Sequence, residues 1–408
     1  MILVEKHIIK STDTRYNVID EAAYKSKNLY NATLYAIRQH FFNTKEYLPY
    51  AKLQHIFQEE KQFDYYQLPS KVSQWTMKMV DQNFKSFFKS LQSYKATPSK
   101  FKSRPKLPKY LDVTTGRFLL IYTSQAISKR ELDNNNVLKC SGLDITVKTK
   151  LQYKDIQQVR IVKGLNCYTI EILYKVFEVP LLEDNGRYAA IDLGIDNFAT
   201  VTTNIKGDIP FVISGKDAKS YNHYYNKVLS KYKSILETRN GKKTSKRLRS
   251  LTFKRNNKLT DFMHKSSRYI VNQLVSKGIT TLVIGKNKNW KQDTNIGRVN
   301  NQNFVQLPHA KFIDMLSYKC ALCGISVELV NESYTSKCSF LDNETIEHHE
   351  NYIGKRIKRG LFCSGSGKLI NADVNGSYNI LFKCKPNAYD VDGVMGVVVH
   401  PVIIRITN

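Results

Sequence analysis

The segment YAAIDLGIDNFATVTTN, residues 188–204, constrains the fold more than any other stretch. It reads as two strands around a tight turn at Gly194, and the first is an apolar strand that ends in an acid, Asp192, and then a glycine. A carboxylate at the end of a buried strand is costly unless it is paired or bound to a metal. After this segment a helical region is expected from about Ala218 to Lys277 and a second strand in TTLVIGKNKNW, residues 280–290. A helix near Asn303 to Cys323 and a third strand in ISVELV follow. Strands alternating with helices predict an α/β core over 187–408.

The first part of the chain has a different pattern. MILVEKHIIK reads as a strand, and Asp20 to Phe42 has helical spacing, with Ala23, Leu29, Ala32, Leu34, Ile37 and Phe41 recurring every three or four residues. A second helix is expected after Pro69–Ser70. From about Leu111 to Val179 short β-type runs alternate with turn residues, which predicts a small β-barrel or sandwich. The expected fold class is therefore α+β multidomain. Residues 1–15 and 100–182 would form a β-barrel, 16–99 an inserted helical domain, and 187–408 the α/β domain.

Charge narrows the partners. A formal net charge of +28 makes a compact chain repel itself, so a polyanion is implied and nucleic acid leads. Solubility alone needs only roughly 2–8 for a small domain. Two tracts lack acids altogether: Lys85–Lys109 carries eight Lys or Arg, and Thr238–Lys258 carries nine. Seven scattered cysteines, odd in number, argue for reduced thiols and a cytoplasmic protein. No apolar run approaches the roughly 20 residues of a membrane span, so no membrane partner is expected.

A second acid, Asp373, sits in LINADVNGSYNIL at what reads as a helix start, flanked by Asn371, Asn375 and Asn379. Cleavage of nucleic acid by two divalent ions needs two or three hard oxygen ligands converging from separate elements. Taken singly, Asp192 and Asp373 can equally be a paired structural acid and a helix cap. GSGK at Gly365–Lys368 is not a phosphate loop, because Leu369 follows and Phe362 stands at the first glycine position.

AIDLGIDNFATVTT, NESYTSKCSFLDNE, GKRIKRGLF and INADVNGSYNIL, in that order and spacing, resemble the RuvC-like nuclease half of TnpB. TnpB is the OrfB-type accessory transposase family of insertion sequences, ancestral to the type V CRISPR effectors. The N-terminal SKNLYNATLYAIRQ resembles its helical recognition segment, so the resemblance covers essentially the whole chain. It implies an RNA-guided DNA endonuclease with an N-terminal wedge barrel carrying the inserted recognition helices and a C-terminal RNase H-like (RuvC) domain. Its cofactors would be two Mg2+ ions per site and a guide RNA from the element's end. Its target would be double-stranded DNA beside a short target-adjacent motif.

The chain departs from the family at two places. The commoner pattern has a Glu at the end of the strand that here finishes in Gly285. The neighbouring strand ends at Asn331–Glu332, and ends of neighbouring strands in an α/β sheet open on one crevice. Glu332 is therefore expected to replace the missing acid, in preference to Glu328, which is placed deeper on the same face. Asp192, Glu332 and Asp373 become the expected catalytic and metal-binding set. The second departure is the zinc ribbon. Only Cys338 and Cys363 remain of two CxxC pairs, and the one CxxC, Cys320–Cys323, lies on a predicted helix before the motif. A four-ligand zinc site could in principle be assembled from those four thiols, with His348 or His349 as further candidates. A degenerate ribbon over 333–368 without zinc is the expectation.

Phosphate contacts are assigned to Lys100, Lys102, Arg104, Lys242, Lys243, Lys246, Arg247 and Arg249 in the two basic tracts. Lys71, Gln74 and Lys78, at helical spacing, are assigned to the target-adjacent motif. Two rivals stand beside the endonuclease: a nuclease-inactive RNA-guided repressor, and a strand transferase using similar acids.

Overall fold

The computed structural model describes residues 1–241, 244–286, 306–389 and 399–406, and divides into two compact units, 1–177 and 178–408. Lys242 and Lys243, and the start of the helix expected near Asn303, lie outside the described residues.

The first unit runs β1 (Ile2–Lys10), α1 (Arg15–Thr44), α2 (Tyr50–Glu59), α3 (Phe63–Tyr66), α4 (Ser70–Ala96) and β2 (Leu120–Thr123). It continues with α5 (Lys129–Asn135), β3 (Val137–Lys139), β4 (Thr146–Lys148), β5 (Ile156–Lys163) and β6 (Cys167–Lys175). Helix α1 forms because Ile19, Ala22, Ala23, Leu29, Leu34 and Ile37 make one buried stripe. It stops where Lys45 turns left-handed at φ 63° and its N–H closes on Phe41 O. That stripe shares a core with Val72, Met77, Val80 and Phe84 of α4 and with Tyr122, Val159, Ile170 and Ile172 of the sheet.

The four-stranded antiparallel sheet has the order β1-β6-β5-β2, and β3-β4 form a separate pair. Its edges are β1 and β2, so hydrogen bonding leaves an open sheet rather than the expected closed barrel. Residues 101–119, ahead of β2, contain no strand. Pro105 and Pro108 there have no N–H to give a ladder.

The second unit runs β7 (Tyr188–Leu193), β8 (Asn197–Thr203), β9 (Phe211–Ser214), α6 (Lys216–Asn240), α7 (Lys246–Ser276) and β10 (Thr281–Gly285). After these come α8 (His309–Ala321), β11 (Ser326–Val330), β12 (Lys355–Lys358), β13 (Leu361–Cys363), β14 (Leu369–Asn371), α9 (Ala372–Cys384) and β15 (Val402–Ile404). The expected single helical region is two helices, parted where Gly241 adopts φ 59° and Ser245 caps α7 by accepting from Leu248 N.

The main sheet has the order β11-β10-β7-β8-β9-β15. Strands β7, β10 and β11 are parallel, so their C-terminal ends lie side by side, and β8 returns antiparallel from β7. Alternation along the strands sorts the two faces. Ala189, Ile191, Leu282 and Ile284 pack with Leu259, Phe262 and Ile270 of α7 and Phe312 and Leu316 of α8. Ala190 and Val283 pack on Ile380 and Leu381 of α9. Period two therefore puts Asp192 and the Gly285 position on the α9 face. Among the described residues no helix is long and apolar enough to cross a membrane.

Candidate active site

The crevice forms where the ends of three parallel strands meet the first turns of α9. Asp192 comes from the end of β7, directly opposite Thr200 of β8. Its space on the helix side exists because α9 carries Gly376: a Cβ there would lie 3.1 Å from Asp192 Oδ2. Asp373 arrives on the first turn of the same helix. The cap of α9 is Asn371, whose side chain accepts from the N–H groups of Asp373 and Val374. Asp373 is thus free of capping duty. Its Oδ2 accepts from Asn197 Nδ2 at 2.6 Å, and Arg356 of β12 stands 3.7 Å from its Oδ1.

Glu332 follows β11, on the face of Val330 by strand alternation, and leans across the end of β10. A Cβ built on Gly285 would meet Glu332 Oε2 at 2.8 Å, Glu332 Cβ at 3.3 Å and Ile380 Cδ1 at 2.6 Å. Heavy-atom approaches this short force something to move. The glycine is therefore the space that the Glu332 side chain uses. A side chain on β10 and the present position of Glu332 exclude each other. The register makes this direct, since Gly285 pairs with Val330 and Lys286 N donates to Val330 O at 2.8 Å.

The loop carrying Glu332 is held from α9. Asn375 Nδ2 donates to Cys338 O and Asn375 Oδ1 accepts from Phe340 N, at 2.9 and 3.0 Å. Asn379 Nδ2 donates to the carbonyls of Thr335 and Cys338, both at 2.8 Å, while Thr335 Oγ1 donates to Glu332 O at 2.8 Å. Both asparagines are fully buried. One helix thus presents Asp373, makes room for Asp192 and clamps the segment that supplies Glu332.

Electrostatics mark the crevice as short of positive charge. Asp192 is pushed well above the usual carboxylate range, first by burial and then by the negative charges of Asp373 and Glu332, with Arg356 and a backbone hydrogen bond from Leu193 opposing. Burial pushes Glu332 up to about 7. Thr200, on the same face as Asp192, has a buried hydroxyl with no hydrogen-bond partner among the described residues. Carboxylate oxygens with hydroxyl and amide groups beside them are the donors of hard divalent cations. Among the described residues no group of three or more His, Cys, Asp or Glu is gathered closely enough to ligate one ion. The set fits ions held by one or two carboxylates each, the usual manner of Mg2+, which keeps several waters.

Glu328 is not the deeper residue expected. It is 38% exposed and committed elsewhere: Lys385 pairs with its Oε1 at 2.9 Å and Cys384 Sγ lies 3.1 Å from its Oε2. Two residues were missed. Asn197 lies within the AIDLGIDN motif itself, and Arg356 lies within GKRIKRGLF. In that hairpin Arg359 also pairs with Asp196, which Lys219 holds from α6 at 2.7 Å. An unbalanced basic hairpin was the available signal.

The proposed nucleic-acid residues fall on both units. Lys100, Lys102 and Arg104 are exposed and make no ion pair among the described residues. Lys246, Arg247 and Arg249 lie exposed on the first turns of α7, with Arg247 over the Tyr232 ring. Lys71, Gln74 and Lys78 share the half-buried face of α4, and Lys78 is drawn onto the rings of Tyr50 and Trp75. The GSGK loop cannot cradle phosphate as it stands, because Asp342 already accepts from the N–H groups of Gly365 and Ser366. Cys320 and Cys338 are fully buried, and burial pushes the Cys320 thiol up to about 12. Cys338 Sγ donates to Glu347 O, and Cys363 Sγ to Ser364 O.

Residues 171–291 match the family model OrfB_IS605, described as a probable transposase, and residues 309–380 match the TNB domain of Cas12f1-like proteins. The first span contains Asp192 and Gly285, the second Glu332 and Asp373. No curated protein matches the chain. Among solved structures, the Cas12f1–sgRNA–target DNA complex is 13% identical, with 93% of this chain and 98% of that chain covered, at a TM-score of 0.36. The mini-RNA-guided endonuclease CRISPR-Cas_phi3 is 12% identical, with 98% and 93% covered, at a TM-score of 0.46. Likenesses at these scores carry no residue-by-residue correspondence. The two family matches are consecutive along the chain, and each holds part of the acid crevice, so the chain is similar to both families over those spans.

Proposed function

We propose that the chain is an RNA-guided DNA endonuclease of a transposable element, cutting double-stranded DNA beside a short target-adjacent motif. Under this reading the second unit is RNase H-like of the RuvC type, which its strand order β11-β10-β7-β8-β9 supports. The first unit would be the wedge with its recognition helices. Guide RNA would supply sequence specificity by base pairing, while the exposed bases of 100–104 and of α7 hold backbones. The protein would work in the cytoplasm.

The observation that carries the proposal is the fit of Glu332 into the space over Gly285, which sets a third carboxylate beside Asp192 and Asp373. Asp192, Glu332 and Asp373 would hold two Mg2+ ions. Bound divalent ions activate a water and stabilise the leaving oxygen in phosphodiester hydrolysis. Asp192 and Glu332 must give up their protons before they can ligate. Asn197 holds the Asp373 carboxylate in one orientation through its amide. Arg356, beside the acids and half-exposed, would meet the scissile phosphate as a charge.

A second reading, a guided DNA binder that does not cut, is favoured by the lack among the described residues of a closed three-ligand cluster. Purified protein with its co-purified RNA, labelled target duplex and Mg2+ separates the two. Mg2+-dependent cut ends support the endonuclease, and retained uncut duplex supports the binder.

A further inference from the structure

Helices α6 and α7 enclose a groove of about 690 Å3 whose lining contains four tyrosines, six Lys or Arg and no acid. Three cations of α7 lie over three rings of α6: Arg247 on Tyr232 at 4.1 Å, Arg255 on Tyr225 at 5.4 Å, and Lys258 on Tyr221 at 4.6 Å. The pairs follow an antiparallel register, so ring and cation alternate along about 16 Å of helix. Arg255 is fixed, donating to Asn222 Oδ1 and Gln306 O. At the rim Tyr224 is 64% exposed, with no ring or cation over it among the described residues.

A seam between two surface helices ordinarily buries Leu and Ile and balances Lys with Glu. This one instead collects rings and unbalanced cations. Rings stack on bases and cations take phosphates, which is the chemistry of single-strand binding. A duplex keeps its base faces stacked inside and cannot use the rings.

We propose that the α6–α7 groove binds an unpaired segment of RNA, with a base stacked on Tyr224 and phosphates on Lys254 and Lys258. The choice of RNA rests on the guided-nuclease reading above, under which RNA is the strand carried before any DNA is opened.

The test measures binding by the full chain of a short, unstructured, mixed-sequence RNA, the single-stranded DNA of the same sequence, and a duplex. Tyr224→Ala should weaken RNA binding about fivefold or more, one base stack, without changing the salt dependence. Tyr224→Phe should bind like the parent chain, and Lys254→Ala should flatten the log–log salt slope by about 0.7. Equal melting temperatures show that the variants fold. Parental affinity in Tyr224→Ala overturns the stack, and a parent chain that binds the single-stranded DNA more tightly than the RNA overturns the assignment to RNA. A parent chain that binds no RNA breaks the guided-nuclease reading itself. RNA binding that survives every groove variant breaks the groove alone.

Discussion

The crevice at the ends of β7, β10 and β11 and the groove between α6 and α7 each hold charge of one sign, but under opposite conditions. In the crevice the acids are partly buried; burial raises Glu332, and burial with the negative charges of Asp373 and Glu332 raises Asp192. Such charge is compensated at short range, by a proton or by a small cation. In the groove most of the cations are exposed, and three of the six lie over rings, so their repulsion is screened by water and salt. Charge of that kind suits a long polyanion. Under the proposed reading, one domain would meet nucleic acid with two chemistries, one for the bond and one for the grip.

Breaking the crevice should give the largest effect. Asp192→Ala, Glu332→Ala and Asp373→Ala should each lower guided cleavage by at least about a hundredfold while leaving DNA binding nearly intact. A variant that cuts near the parental rate removes its residue from the set. Titration sharpens the same contrast. Glu332 has a folded value of about 7 against an ordinary 4.5, so the folded state holds its proton longer than the unfolded chain. Its contribution is therefore lost as pH rises from 4.5 to 7, and metal-free protein should melt at a lower temperature at the upper end of that window. Mg2+ should raise the melting temperature more at the upper end, and Glu332→Gln should flatten the metal-free profile. A profile equal in parent and variant would show that Glu332 does not titrate there.

On the groove side, neutralising Lys246, Arg247 and Arg249 should cost affinity and flatten the salt slope by about 0.9 for each lost phosphate contact on duplex DNA. An unchanged slope would put these residues on a solvated face. The smallest effect belongs to Cys320→Ser with Cys323→Ser. Cleavage should change little, and metal analysis of the parent should find well under one zinc per chain. Stoichiometric zinc that disappears in the double variant would reverse this account of the cysteines.

Much of the second unit was legible because its strands are apolar runs and its helices have a clear period. The acids at strand ends were legible for the same reason: they interrupt those runs. Periodicity could not show that Asn375 and Asn379 act as clamps, because their partners are backbone carbonyls about forty positions away in the chain. Glu328 was misplaced as deeper in the crevice because alternation assigns a face but not the depth of an edge strand. Its neighbour Lys385 pulls it outward. The closed barrel failed on the connection, since strand propensity counts strands but cannot say which edges meet.

The central claim is that Glu332 occupies the place left by Gly285, and one measurement tests it most directly. Cleavage is measured for Glu332→Ala, for Gly285→Glu, and for the two combined, with equal folding confirmed by melting. Gly285→Glu alone should cut poorly, because its Cβ collides with Ile380 and with the Glu332 carboxylate. Combined with Glu332→Ala, which removes the Oε2 contact and leaves Ile380 as the closest group to move aside, it should regain part of the cleavage that Glu332→Ala loses. Recovery should be partial, since catalytic groups tolerate only about 0.5 Å of displacement. Parental activity in Glu332→Ala by itself would contradict the account.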